Sequence, residues 1–296
     1  MKDYVIYSAL VGAYDMIPQP EVVDERFDFV LFTNEVDEAK VGVWEVRPID
    51  YKNRDTTRVA RYIKTHPESL LPEYNVSVWM DMNVLIKTDY LYNRVVQLNA
   101  EGALVSSMWH PGNDCIYEEA FSVMHMRVER ESVVLDWCPR LVKEGYPRHN
   151  GLCETNVLFR QHKKSEVAGF DAFWWDCICA HSRRDQLSFN YALWKKGIPC
   201  HYMMGEKTCA KNSEHFEVIK HKDGKHNFCD LAQNEGWLMR YCWKKPSEVD
   251  KVKSIYYKLY KLPFPKMVAF IIGQFFRVKY LINAETGICL RKSKGI

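Results

Sequence analysis

Several common signatures are missing from this 296-residue chain. It has no low-complexity tract and no internal repeat, which excludes solenoids and compositionally disordered linkers. Its ten cysteines (Cys115, Cys138, Cys153, Cys177, Cys179, Cys200, Cys209, Cys229, Cys242 and Cys289) contain no CxxC pair, so neither a zinc ribbon nor a thioredoxin motif is present. The apolar centre of the C-terminal segment, Met267 to Phe276, is shorter than the roughly 20 residues that span a bilayer. No nucleic-acid recognition motif is found. "ALVGAYD" holds a single glycine, where a nucleotidyltransferase would carry a Gly-rich phosphate loop. The first residues, MKDYVIYSALVG, carry one lysine, one acid and a short apolar run without a cleavage pattern. They read as a first strand rather than a signal peptide, which makes the reducing cytosol the expected compartment and the cysteines free thiols.

What is there describes a globular α/β chain. The apolar fraction is 47% and the aromatic fraction 14%, enough for a sizeable core. Apolar runs at 3–15, 27–34, 41–49, 76–86, 103–109, 155–162 and 216–221 read as strands. Helical patterns fall at 54–66, 91–102, 117–131 and 182–197, with Pro67, Gly102 and Gly197 as stops. Nearly continuous apolar strands alternating with helices predict a mostly parallel sheet covered on both faces. Ligands of such sheets bind beyond the carboxyl ends of the strands. Tyr7, Ser8, Ala9 and Gly12, then Thr33 and Asn34, then Asp81 and Asn83, fall at such ends.

Charge is unevenly spread. From Lys244 onward there are 12 Lys or Arg against 3 acids, and the first 243 residues carry a net −6. The expected organisation is therefore a catalytic domain over 1–230 and a basic, amphipathic helical region over 231–296. Aromatics and lysines interleave in the second region, which suits a segment lying at an anionic membrane surface. An ordinary basic helix packed on the body is the alternative.

In "VSVWMDMNVLI" (76–86) an apolar run is cut by Asp81 and Asn83. Two oxygen ligands on one strand face would suit Mg²⁺ or Mn²⁺; a self-capping Asp–x–Asn turn is the other reading. Arg54, Arg58 and Arg61 share one face of the predicted helix, and arginine forks suit phosphate. Glu154 and Asn156 are placed to meet sugar hydroxyls or to finish a turn. Trp174 and Trp175 read as core residues before they read as a stacking platform.

With these residues in order, "YSALVGAYD…FDFVLFTN", "RYIKTHPESLLPEYNVSVWMDMNVLI", "GLCETNVLFRQH" and "RDQLSFNYALWKKG" resemble a glycosyltransferase-A-like (GT-A-like) domain family over roughly residues 4–205. That family occurs in bacterial capsule and O-antigen clusters and in plant pectin and mucilage synthesis. The resemblance implies a nucleotide-sugar donor, with UDP as its commonest nucleotide, a divalent cation, and a glycan or lipid-linked acceptor. The usual Asp–x–Asp is Asp81–x–Asn83 here. The resemblance also implies catalytic roles for Asp185 and Gln186 beside the donor sugar, and so a retaining reaction. Ser182-x-x-Asp185 equally spells a helix capping box. By the same resemblance His221 is the third metal ligand, with His201 and His226 as competitors, and Lys225 reaches the diphosphate. The expectation is a cytoplasmic glycosyltransferase, peripheral on the inner face of the cell membrane; the alternative is a catalytically inactive glycan-binding scaffold.

Overall fold

The computed structural model describes residues 3–12, 16–126, 128–220, 249–265 and 267–278. They fall into two compact units, one drawn from residues 1–116 and 149–225, the other from 117–148 and 226–296.

The first unit is built on an eight-stranded sheet. Its strands are β1 (Tyr4–Leu10), β2 (Phe27–Thr33), β3 (Lys40–Val41), β4 (Trp44–Arg47), β5 (Val76–Met80), β7 (Val105–Trp109), β8 (Cys153–Arg160) and β9 (Cys200–Tyr202), in the order β3-β4-β2-β1-β5-β8-β7-β9. The β1–β2, β1–β5, β2–β4 and β7–β9 pairings are parallel. The β3–β4, β5–β8 and β7–β8 pairings are antiparallel. The mostly parallel sheet expected from the apolar strands is thus observed, with β8 reversed in its middle. A small antiparallel ribbon joins β6 (Val84–Ile86) to β10 (Phe216–Val218).

Strand alternation sends β1 side chains to two cores. On one face Ile6 and Leu10 pack with Leu91, Tyr92, Val95 and Leu98 of α3 (Tyr90–Ala100). On the other, Val5 and Tyr7 pack with Val59 and Ile63 of α1 (Thr56–Thr65) and with Phe170 and Trp174 of α6 (Ser165–Ala180). Helix α2 is the short Pro67–Leu70 turn. Helix α7 (Gln186–Lys196) completes this layer and stops at Gly197, whose φ of +67° a side chain would strain.

The helix expected over 54–66 starts later, because Asp55 caps it by accepting from Thr57 N at 3.1 Å. The helix expected over 182–197 begins only at Gln186. Helix α6 had no expectation attached. Its apolar residues surround the axis, so no amphipathic stripe marks it.

The second unit contains α4 (Ile116–His125), α5 (Glu131–Lys143), α8 (Val249–Leu259) and a helical stretch at 267–278. Within it the Tyr117 hydroxyl donates to Tyr146 O at 3.0 Å, and Lys253 Nζ lies 5.7 Å over the Phe121 ring. Residues 117–148 group with residues 226–296 in this unit.

Candidate active site

The site forms where β5 ends. Val84 N donates to Asp81 O at 2.9 Å, so Asp81, Met82 and Asn83 make a tight turn between β5 and β6 rather than continuing a strand. The same-face argument from strand alternation therefore does not hold. The side chains do not cap their own backbone either. Asp81 Oδ1 accepts from the Trp79 indole at 2.7 Å, and Asn83 Nδ2 donates to Ile219 O at 3.2 Å. Asp81 is 34% exposed at its side chain, which makes it the open carboxylate of this region.

Behind Asp81 lies Lys64, absent from the sequence reading. Its Nζ stands 3.8 Å from Asp81 Oδ1, 2.6 Å from Asp185 Oδ2 and 3.0 Å from Thr155 Oγ1, with a side chain only 1% exposed. Trp79 and Trp174 rings lie 5.4 and 5.8 Å from the ammonium, within cation–π range. Arg160, buried on β8, donates to Lys64 O at 2.6 Å and pairs with Asp171 at 2.5 Å. A guanidinium on a carbonyl at the end of α1 also suits the negative end of the helix dipole.

Asp185 is fully engaged. Besides Lys64, its Oδ2 accepts from Thr155 Oγ1 at 2.9 Å, and Arg61 Nε stands 3.1 Å from Oδ1. Burial works to raise its carboxyl, but the charges of Arg61 and Lys64 and the Lys64 hydrogen bond outweigh that and hold it well below the usual range. Burial pulls the Lys64 ammonium down, against the facing carboxylates of Asp185 and Asp81. The capping box is not formed: Ser182 Oγ accepts from Arg184 N instead, and the Asp185 side chain makes no cap hydrogen bond. Asp185 is 2% exposed, with Lys64 on one carboxylate oxygen and Arg61 beside the other.

On β8, Asp81 N donates to Asn156 O at 2.8 Å, which sets this strand's start beside the turn. Glu154 pairs with Lys211 through Oε1, while its buried Oε2 has no partner among the described residues; nor has the buried Asn156 Oδ1. Two desolvated acceptors without donors are costly unless a ligand supplies hydroxyls. The irregular β7–β8 register at Ser107/Met108 accompanies this start, and Ser107 Oγ is 3.0 Å from both Glu154 O and Val157 O. Gln186 reaches Cys153 O at 3.4 Å.

The remaining expected donor contacts are dispersed. Tyr7 and Ser8 are fully buried and spend their hydroxyls on Lys64 O at 2.8 Å and Met80 O at 2.6 Å, so neither faces an opening. Ala9 is half-buried, and Thr33 is buried with Glu35 N on its hydroxyl. Asn34 locks the Ile49 backbone in both directions at 2.8 Å. Gly12 is exposed, with φ +89° and its N–H on Glu35. Arg54 is exposed and precedes α1, so the arginine stripe is shorter than expected. Arg58 bonds Asp55 at 2.7 Å and the carbonyls of Ile178 and His181 at 3.3 Å, joining α1 to the end of α6. Trp174 is core, donating to Asp185 O at 3.1 Å; Trp175 packs on Tyr51, Tyr62 and His66. His201 sits on edge strand β9, beyond β8 and β7 from Asp81. His221, Lys225 and His226 lie outside the described residues.

Among the described residues no three His, Cys, Asp or Glu side chains gather as a metal group. Asp81 Oδ2 and Asn83 Oδ1 have no protein partner among them. A carboxylate oxygen and an amide oxygen are ligand types that Mg²⁺ or Mn²⁺ accept, with water and phosphate completing the shell.

The chain belongs to the TOD1/MUCI70 glycosyltransferase-like domain family, whose model matches residues 2–221. The sequence-level resemblance is thereby confirmed at the level of the family. No curated protein matches the chain. Solved structures similar to it include the apo bifunctional glycosyltransferase WbbM (9% identity, TM-score 0.42, covering 68% of this chain). They also include mouse xyloside xylosyltransferase 1 in its apo form (9%, 0.40, 68% of this chain and 84% of that one). The match spans 38% of the WbbM chain.

Proposed function

We propose that the protein transfers a sugar from a nucleotide-sugar, a UDP-sugar by resemblance, to a glycan or lipid-linked acceptor, aided by Mg²⁺ or Mn²⁺. The observation that carries this is Asp81: an open carboxylate at the end of a central strand, braced from behind by Trp79 and a buried lysine. Asp81 and Asn83 would hold the cation, which neutralises charge on the departing diphosphate. The chain's own residues do the rest. Trp79 and Lys64 fix the Asp81 carboxylate, Asp185 and Thr155 fix Lys64, and Glu154 Oε2 with Asn156 Oδ1 receive sugar hydroxyls. Preorganised polar groups of this kind need no rearrangement during reaction.

The Asp185–Gln186 resemblance favours retention at the anomeric carbon. Anomeric-proton NMR of the product tests this; an inverted product removes the idea. The engagement of Asp185 favours a second reading, a sugar-binding protein without turnover, which would bind donor and release no free nucleotide diphosphate.

The reading extends to an anionic membrane surface. Phe264, Met267, Phe270, Ile271, Phe275 and Val278 are each more than half exposed, and the last five recur at helical spacing over 267–278. Lys251, Lys258 and Lys261 precede them. Among the described residues no helix is long and apolar enough to cross a membrane. Attachment in the headgroup region would place the protein on the cytoplasmic face of a membrane carrying a lipid-linked acceptor. A thermal-shift screen of sugar nucleotides with and without Mn²⁺ tests the central reading: stabilisation by a donor with metal is expected, and no response to any donor contradicts it.

A further inference from the structure

The strands flanking β7 each bring a cysteine to the same pocket. Cys153 opens β8 and Cys200 opens β9, and their Sγ atoms are 3.4 Å apart. Both line a cavity of about 440 Å³ with Asn150, Asn190, Trp194 and Tyr202. Cys200 is half-buried and Cys153 buried. Asn190 fixes Cys153 from two sides: its Oδ1 accepts from Cys153 N at 3.0 Å, and its Nδ2 lies 3.7 Å from Cys153 Sγ. Cys200 Sγ is 3.8 Å from His201 O. The five other described cysteines are also free thiols.

We infer that Cys153 and Cys200 form an oxidation site that closes to a disulfide when hydrogen peroxide enters this pocket. A sulfur–sulfur bond is about 2.0 Å long, so closure must shorten the 3.4 Å gap by roughly 1.4 Å, with the backbones of β8 and β9 drawing together to allow it. The half-buried Cys200 reacts first. Its thiolate attacks the peroxide, an S–O bond forms, the O–O bond breaks, and the leaving oxygen departs as water after protonation. Cys153 sulfur then attacks Cys200 sulfur, the S–O bond breaks, and a second water carries away the Cys153 proton. Two thiols lose two electrons to one peroxide, which ends as two waters. The hydrogen bond with the Cys200 thiol, and then burial, push the Cys153 thiol up, which fits a resolving partner rather than the first point of attack.

The cross-link would staple β8 to β9 across β7, at the residue immediately before Glu154. It closes a long loop, so it constrains the unfolded chain strongly.

The test uses the full chain, reduced and then exposed to one to two equivalents of hydrogen peroxide. Remaining thiols are alkylated and the digest is read by mass spectrometry. A Cys153–Cys200 linked peptide is expected before any other cysteine pair, lost on dithiothreitol treatment and absent from Cys200→Ser. The melting temperature of the oxidised form should rise by roughly 5 °C or more, and Cys200→Ser should show no such rise. Recovery of both residues as separately alkylated or sulfinylated peptides overturns the inference. So does a linked pair elsewhere that forms first.

Discussion

Lys64 and Asp185 meet at 2.6 Å, Nζ to Oδ2, with neither side chain more than 3% exposed. A buried ion pair is no proof of net stability, because desolvation opposes attraction. Here the pair is completed by Thr155 and Arg61, and its ammonium faces Asp81, so its geometry passes directly to the open carboxylate.

Removing one partner should therefore hurt more than removing both. Lys64→Met leaves a buried carboxylate with Arg61 as its remaining counter-ion, and is expected to cost ~3–5 kcal/mol in urea unfolding. Adding Asp185→Asn should recover part of that loss. Strict additivity of the two single losses would show that the residues are not coupled.

Trp79→Phe keeps the ring beside Tyr7 but deletes the indole donor to Asp81. A stability loss of about 1 kcal/mol is expected, together with a smaller metal-dependent donor shift. An unchanged donor response would mean that the indole does not hold Asp81 in its working orientation.

His162 gives the pH dependence. Burial, with Arg160 nearby, lowers its imidazole to about 4, while Nε2 lies 3.3 Å from Leu71 O. The folded state keeps it neutral where the unfolded chain, near 6.5, takes a proton. Stability from this group is thus complete above about 6.5 and falls as pH drops toward about 4, by on the order of 3 kcal/mol. His162→Gln should flatten that part of the stability curve. An identical slope in the variant would assign the acid sensitivity elsewhere.

The exposed face at 267–278 predicts binding to vesicles containing anionic phospholipid, weaker with phosphatidylcholine alone and weaker at high salt. Phe270→Glu with Phe275→Glu should abolish co-sedimentation while leaving the melting temperature within a few degrees. Retention on vesicles by that variant would exclude this face.

The layered α/β fold was legible because parallel strands carry long apolar runs, as in FDFVLFT and VSVWM. The reversed β8 was not, since an apolar strand looks the same in either direction. Asp81 could be found as an acid interrupting such a run. Lys64 could not, although it continues the Arg58 and Arg61 side of α1 at i+3 from Arg61: a lysine in a helix is nearly always solvated, and only tertiary packing buries it. Asp185 was legible as a special position, but its partners Lys64, Thr155 and Arg61 were not. Tyr7 and Ser8 followed from the strand-end rule, which locates the edge of a site without saying which side chains turn inward.

The account stands most directly on one comparison: donor-induced thermal stabilisation of the parent and Asp81→Ala, each with and without Mn²⁺. The parent should be stabilised by a sugar nucleotide when metal is present, and Asp81→Ala, folded and of similar melting temperature, should lose that metal-dependent increment. An equal increment in both proteins would contradict the placement of cation and diphosphate at this turn.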